Sequence, residues 1–363
     1  IHRGGRAAQF TVEHWMALVA ANDKLAAMRK VHLVVCDLSL PADIAAGVCA
    51  DLRLPALEKM LARGASTGSG RTGGVGASLE NHLCELFGLP CQPDAPIAPI
   101  SAAFDGLGEG CWLRADPVHL RLQRDQLVLL PEVGVNAGEA AQLCAALNEH
   151  FAGQGMEFFA PHPQRWYMRL DQVPGIETVP LSQAAGRNVR GLLPKGAEEA
   201  HWHRVFNEIQ MLLFAHPVNE AREVRGELPV NSLWLWGGGV NAPLQKTCTS
   251  VSSDEALAGM FAAAAGIPFS SWPGQWRDEE NGGTQLLVWT GLRSALRCGD
   301  LDAWRAALQE FETGYAQPLW QALRAGKIAQ LQVDILGGEH ARHLLLTRAD
   351  AWAFWRRAKS LSQ

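Results

Sequence analysis

The stretch Glu198–Val240, EEAHWHRVFNEIQMLLFAHPVNEAREVRGELPVNSLWLWGGGV, constrains the fold more than any other part of the chain. It reads as a helix, a proline break, a short helix, a buried strand and a glycine turn, in that order. Trp202, Val205, Phe206, Ile209, Leu212 and Leu213 recur at helical spacing and give one continuous apolar face. Pro217 cannot continue that helix and pushes His216 out of the α region. Asn219 is expected to cap a short helix over 220–225, which Gly226 stops. Ser232–Trp236 is then a brief apolar strand emptying into Gly237, Gly238 and Gly239. Open α/β sheets place ligands where a strand feeds such a loop; the plainer alternative is that the glycines only turn the chain.

Composition supports a folded chain of this kind. With 363 residues, 48% hydrophobic and 19% charged, there is apolar material for one large or two medium domains. The net charge is −5 with no basic stripe, which argues against a nucleic-acid partner. No apolar run reaches the roughly 18 residues that span a bilayer, so a membrane is not expected as a partner either. The eight cysteines show no Cys-x-x-Cys spacing, and several fall in apolar segments, as suits reduced thiols in a cytoplasmic protein. Thirteen tryptophans against two tyrosines make tryptophan the main large aromatic available for the core.

Val31–Cys36, apolar except for His32, is expected as a central parallel strand. Asp37 stands at its C-terminal end, the edge where α/β enzymes keep catalytic groups. Pro55 and Gly64 bracket a helix over 54–64. A Gly/Ser/Thr loop over 65–76 follows, and Ser78 opens the next helix in a Ser78-x-x-Asn81 pattern that lacks the acidic partner of a capping box. Residues 112–120 and 121–130 read as strands, 137–151 as a helix, and 156–160 and 166–170 as strands, a ββαββ layer. After the glycines come a helix over 254–265 capped by Ser253, a Trp/Gly/acidic loop over 270–283 and a strand over 285–289. A long helix over 301–324 is expected to break near Pro318; a strand pair over 328–335 and 343–347 and a last helix capped by Asp350 close the chain. The fold class is α/β: a mostly parallel sheet flanked by helices, from residues 28–104 and 180–363, with a small α+β domain of residues 105–179 inserted. Residues 1–27 are expected to be an extension upstream of the fold, because Met28-Arg29-Lys30 leads directly into the first strand.

His216-Pro217-Val218-Asn219, Arg222, Gly226, Pro229 and Asn231, then Gly237–Gly239, resemble a segment of the archaeal-type cofactor-independent phosphoglycerate mutases. Those enzymes carry His-Pro-x-Asn-x-x-Arg, Pro-x-Asn and a strand ending in Arg-Gly-x-Gly. The tryptophan-rich PVNSLWLWGGG is more similar still to a bacterial family of RpfE-type regulatory, phosphoglycerate-mutase-like proteins. Leu54–Gly64 resembles the Thr-Pro-x-Leu-Asp segment of the alkaline phosphatase superfamily, to which the mutases belong. The stretch from Ser78 resembles their Ser-Asp-x-Ala-His-Leu, whose serine is the phosphorylated nucleophile. The resemblance implies an alkaline-phosphatase-like core, an inserted cap domain that closes over the active site, and two metal ions that clamp the phosphoryl group. It makes Asp37 and Ser78 the counterparts of the aspartate after the first strand and of the nucleophile.

The remaining ligands that the resemblance implies are missing. After the strand over 285–289 the mutases have His-x-Lys and Asp-x-x-Gly-His; this chain has Trp289-Thr290-Gly291 and Arg297-Cys298-Gly299-Asp300. Where Asp-His belongs stand Leu336-Gly337-Gly338, and Trp236 replaces the arginine of the glycine turn. Among other constellations, His201-x-His203 points to different faces of a helix. His340-x-x-His343 alone holds no structural zinc. Asp278-Glu279-Glu280 reads as solvated, and Arg356-Arg357 could meet an anion but stands at a helix end, where basic residues are stabilised anyway.

The sequence therefore reads as a degenerate, non-catalytic relative of the mutases with a small-anion-binding or regulatory role, no cofactor and no metal. Asp37 and Ser78 are its vestigial catalytic candidates. The expected ligand-binding group is Asn219, Arg222, Asn231, Trp236, Gly237, Gly238 and Gly239. Arg222 would grip a carboxylate or phosphate, and Trp236 would favour a flatter, less charged ligand. The structural alternative for these residues pairs Arg222 with Glu208 or Glu227 and uses the tryptophans to seal the core. The alternative for the whole chain is a metal-dependent phosphomutase or phosphoesterase with a rearranged ligand set. A third reading, an interaction module, rests on the tryptophan excess. The expected partner is a small anionic metabolite or a protein.

Overall fold

The computed structural model describes residues 29–67, 78–90, 92, 94–278, 282–337, 341–353 and 355–356. The expected N-terminal extension, most of the loop over 65–76, Glu279, Glu280, Gly338, His340 and Arg357 lie outside them.

The main sheet holds β1 (Lys30–Cys36), β2 (Ala65–Ser66), β10 (Ser250–Ser253), β11 (Phe269–Ser271), β12 (Thr284–Trp289), β13 (Gln330–Leu336) and β14 (Arg342–Thr347). Their order is β11-β10-β12-β1-β13-β14-β2; all pairings are parallel except those made by β14. The central strand β1 is apolar because both faces are covered. Val31, Leu33 and Val35 pack with Trp304, Phe311 and Trp320 on one side. Val34 and Cys36 pack with Leu79, Leu83 and Phe261 on the other. The molecule is α/β, a mostly parallel sheet flanked by helices, as the order of elements predicts.

The second sheet contains β3 (Cys111–Gln123), β4 (Gln126–Leu130), β5 (Met156–His162) and β6 (Arg165–Leu170) in the order β4-β3-β6-β5, with the helix Ala137–His150 between β4 and β5 in the chain. The small pair β7 (Ile176–Glu177) and β8 (Lys195–Gly196) follows. The glycine-ended strand is placed differently from expectation. β9 (Ser232–Val240) runs through all three glycines and lies antiparallel against β3, so it belongs to the second sheet rather than to the ligand edge of the main one. The expected division at residues 105 and 179 is thus not a division between the sheets. The glycines serve close packing instead of a turn: a Cβ on Gly239 would stand 2.6 Å from Pro96 Cβ, and one on Gly238 2.9 Å from Leu113 Cδ1. Gly237, at φ 68°, accompanies the register shift opposite Trp112 and Arg114.

Three helix boundaries also differ. Pro217 occupies the first turn of the helix Pro217–Val224, so His216 is its N-cap and Asn219 lies inside it. The long helix does not break at Pro318: Leu301–Phe311 passes through a π-helical turn, Glu312–Ala316, into Gln317–Ala325. Pro318 has no N–H for the Gly314 carbonyl, which accepts the Trp276 N–H at 2.8 Å instead. Asp350 is the third residue of a short helix, Arg348–Ala351, capped by Thr347. Among the described residues no helix is long and apolar enough to cross a membrane.

Candidate functional site

Because β1, β10 and β12 are parallel, their C-terminal ends open on one edge. Asp37 follows β1, Asp254 and Glu255 follow β10, and Thr290 and Arg293 follow β12. Asp37 has a left-handed backbone, φ 61°, which aspartate tolerates better than most side chains. Its N–H donates to Leu336 O at 2.8 Å. Arg293 spans the edge: Nε donates to Asp37 Oδ2 at 3.2 Å and Nη1 to Glu255 Oε2 at 3.4 Å. The Asp254 carboxylate accepts the Thr290 N–H at 2.8 and 3.1 Å, and burial raises its pKa.

Ser78 is the N-cap of the helix Leu79–Leu86. Its Oγ accepts the Asn81 N–H at 3.1 Å, and the residue is buried. Two positions on, Glu80 is also buried. Burial raises its pKa against the opposing charge of Arg293, and Oε2 lacks a hydrogen-bond partner. Burial likewise pushes the Cys36 thiol well above its ordinary range.

The residues expected to bind a ligand sit in and around the second sheet and bond to the protein itself. Asn219 Nδ2 donates to Leu213 O and Val230 O at 2.7 and 2.8 Å, and its Oδ1 accepts the Val230 N–H at 2.8 Å. Arg222 is 1% exposed; it donates to Glu139 at 2.6 Å, to Leu228 O at 2.9 Å and to Val133 O. Its ion-pair partners are therefore Glu139 and, at 3.4 Å, Glu227; Glu208 lies beside His150. Asn231 exchanges two hydrogen bonds with the Leu120 backbone, at 2.7 and 2.9 Å. Trp236 is buried, donates Nε1 to Asp116 Oδ2 at 2.7 Å and lies under the Arg114 guanidinium. The Gly237 N–H donates to Thr178 Oγ1 at 2.9 Å and to Asp94 Oδ2 at 3.2 Å. In this arrangement His-Pro-x-Asn-x-x-Arg is a clasp that ties two helices to the second sheet. An open cavity of about 940 Å³, lined in part by Glu109, Asn148, Arg169, Asp171 and Asn241, shares no residue with the main-sheet edge.

One polar group was not legible as a group from the sequence. His32 of β1, Asp334 of β13, His343 of β14 and His82 of the helix Leu79–Leu86 converge on one face of the main sheet. Burial alone would raise the Asp334 carboxyl, but the hydrogen bond from His32 and the nearness of His82 outweigh it and hold it well below the usual range. The available signal was polar residues at alternate positions of two apolar strands, His32 in one and Gln332 and Asp334 in the other.

No protein-family model matches the chain. A 2,3-bisphosphoglycerate-independent phosphoglycerate mutase of Methanosarcina acetivorans is 27% identical over 205 residues, 54% of this chain and 50% of that protein. A probable enzyme of the same name from Geobacter sulfurreducens is 27% identical over 199 residues, 52% of this chain and 49% of that protein. A third, from Methanothermobacter thermautotrophicus, is 31% identical over 117 residues, 31% and 28% of the two chains. The chain spans about half the length, or less, of these curated relatives. Among solved structures, the PH0037 protein from Pyrococcus horikoshii matches with a TM-score of 0.52 at 15% identity over 88% of each chain, which shows a shared fold. A cofactor-independent phosphoglycerate mutase from Thermoplasma acidophilum covers 92% of this chain and 94% of its own at 14% identity, with a TM-score of 0.46.

The chain is similar to the cofactor-independent phosphoglycerate mutases.

Mutase-like chemistry implies two divalent ions at the sheet edge, and the described residues there do not fit them. Asp37 and Glu255 are already bridged by a guanidinium. Among the described residues, the group of three possible ligands whose donor atoms lie within 4.8 Å of one another is His32, His82 and Asp334, not the edge carboxylates. No step of phosphoryl transfer is therefore assigned to this edge.

Proposed function

We propose that this chain is a mutase-like protein without two-metal phosphoryl transfer, acting as a non-catalytic regulatory protein of the kind its tryptophan-rich strand resembles, the RpfE-type proteins. The observation that carries this reading is Arg293 lying between Asp37 and Glu255. A guanidinium supplies positive charge but cannot coordinate a phosphoryl oxygen or a hydroxyl as a Lewis acid. Ser78 is buried and its Oγ accepts the Asn81 N–H, the bonding of a helix cap. Among the described residues the edge sets Asp37, Asp254 and Glu255 against Arg293, a field that opposes a phosphorylated ligand and favours a protein partner or a weakly charged one. Aryl phosphate hydrolysis with added manganese tests this: the reading predicts the rate of a no-protein control, and turnover lost in Ser78→Ala overturns it.

The second reading is a metal-dependent phosphomutase or phosphoesterase with a rearranged site. The names of the relatives support it at the level of family, as does the presence of Asp37 and Ser78 at the matching motifs. The chemistry of the edge supports the first.

A further inference from the structure

We propose that His32, His82 and Asp334 form a mononuclear zinc site on the face of the main sheet, apart from the sheet edge and independent of the reading above. Strand register creates the pair: Val34 stands opposite Asp334 in parallel β1 and β13, so His32 and Asp334 are diagonal neighbours on one face. His343 stands directly opposite Asp334 in antiparallel β14. The helix Leu79–Leu86 lies over this face and delivers His82.

Asp334 is fully buried on a face it shares with the apolar Val34, Cys36 and Leu336. A carboxylate there demands positive partners or metal coordination. His32 Nε2 lies 2.5 Å from Asp334 Oδ2, and His82 Nε2 lies 2.9 Å from the same oxygen. The second contact is off the hydrogen-bond direction, which leaves His82 Nε2 a buried polar atom with no hydrogen-bond partner. All three donor atoms lie within 4.8 Å of one another. A tetrahedral zinc ion with bonds of about 2.0–2.1 Å separates its ligands by about 3.3 Å, so its entry changes the donor separations by no more than about 1.5 Å.

The surroundings already do what outer partners of a zinc site do. Asp334 Oδ1 is held by His343 Nδ1 at 3.0 Å, and Gln332 Nε2 reaches both carboxylate oxygens at 3.3 Å, which together orient the carboxylate with Oδ2 towards His32 and His82. His343 also stacks on His82, with ring centroids 5.7 Å apart. Two imidazoles and a carboxylate match zinc in softness and leave a fourth position for water. An ion here pins the helix that begins at Ser78 to β1 and β13.

The test uses the full chain, stripped with a chelator and titrated with zinc chloride by calorimetry, with elemental analysis after gel filtration. The expected result is one zinc per chain, an affinity reduced about tenfold or more in His82→Gln, and visible d–d bands of cobalt(II) that are lost in the same variant. Cys298→Ser, at the exposed cysteine, should change none of these. Asp334→Asn is the stronger substitution; should it not fold, His82→Gln carries the test. Absence of stoichiometric zinc, or zinc binding unchanged in His82→Gln, overturns the proposal.

Discussion

Arg293 Nε donates to Asp37 Oδ2 across 3.2 Å where β1 and β12 end, and the same guanidinium reaches Glu255. The most reactive edge of an α/β sheet is thereby closed by an internal cation.

Removing that cation should open the edge to a hard metal ion. In Arg293→Ala the freed Asp37 and Glu255 carboxylates join Asp254, and oxygen ligands of this kind suit magnesium. Thermal melts should show no magnesium response in the wild type and a stabilisation in the variant. Saturation at a hundredfold above Kd corresponds to about 2.7 kcal/mol. Equal responses in the two proteins would mean that Arg293 does not control the edge.

Ser78→Ala should remove one helix cap and nothing more. The loss expected in urea denaturation is about 1 kcal/mol, with the biological activity of the protein intact in cells. A folded variant that has lost that activity would return Ser78 to the chemistry.

Arg222→Ala should be far more damaging. The substitution deletes donors to Glu139, Leu228 O and Val133 O, leaving both carbonyls without that donor and Glu139 with Arg225 as its cation. Leaving a buried acceptor unsatisfied costs about 1–3 kcal/mol, readable as a lower denaturation midpoint. A change below about 1 kcal/mol would show that the clasp is not structural, and the ligand-binding role would revive.

Asp94 should make stability fall with rising pH. Burial raises its carboxyl from 3.8 to about 6, against hydrogen bonds from Thr178, Ala95 and Gly237. The folded protein then holds this proton more tightly than the unfolded chain. Its contribution is fully present below about pH 3.8 and is lost as pH rises through about 6. The loss is about 3 kcal/mol. Asp94→Asn should flatten that part of the stability profile, measured by denaturation across the range; a profile parallel to wild type would contradict the assignment.

The elements with strong local signals were legible in the sequence. Continuous apolar β1, the helix bracketed by Pro55 and Gly64, and the ββαββ order all appear within a few residues of their expected places. Ser78 caps its helix through Asn81, as the spacing suggested. What failed was long-range. Nothing local states that Ser232–Val240 pairs with β3, and a glycine that avoids Pro96 looks the same in sequence as one that turns the chain. Arg222 finds Glu139 83 positions away, and His32 finds Asp334 302 positions away. Those pairings depend on strand order and helix docking, which composition and periodicity do not encode.

The proposed lack of phosphoryl transfer is tested most directly by the interconversion of 3-phosphoglycerate and 2-phosphoglycerate. The full chain should be incubated with either isomer and manganese, and the mixture followed by phosphorus NMR. Each isomer should persist as in a control without protein. Equilibration of the two isomers by wild type, abolished in a folded Ser78→Ala variant, would contradict it.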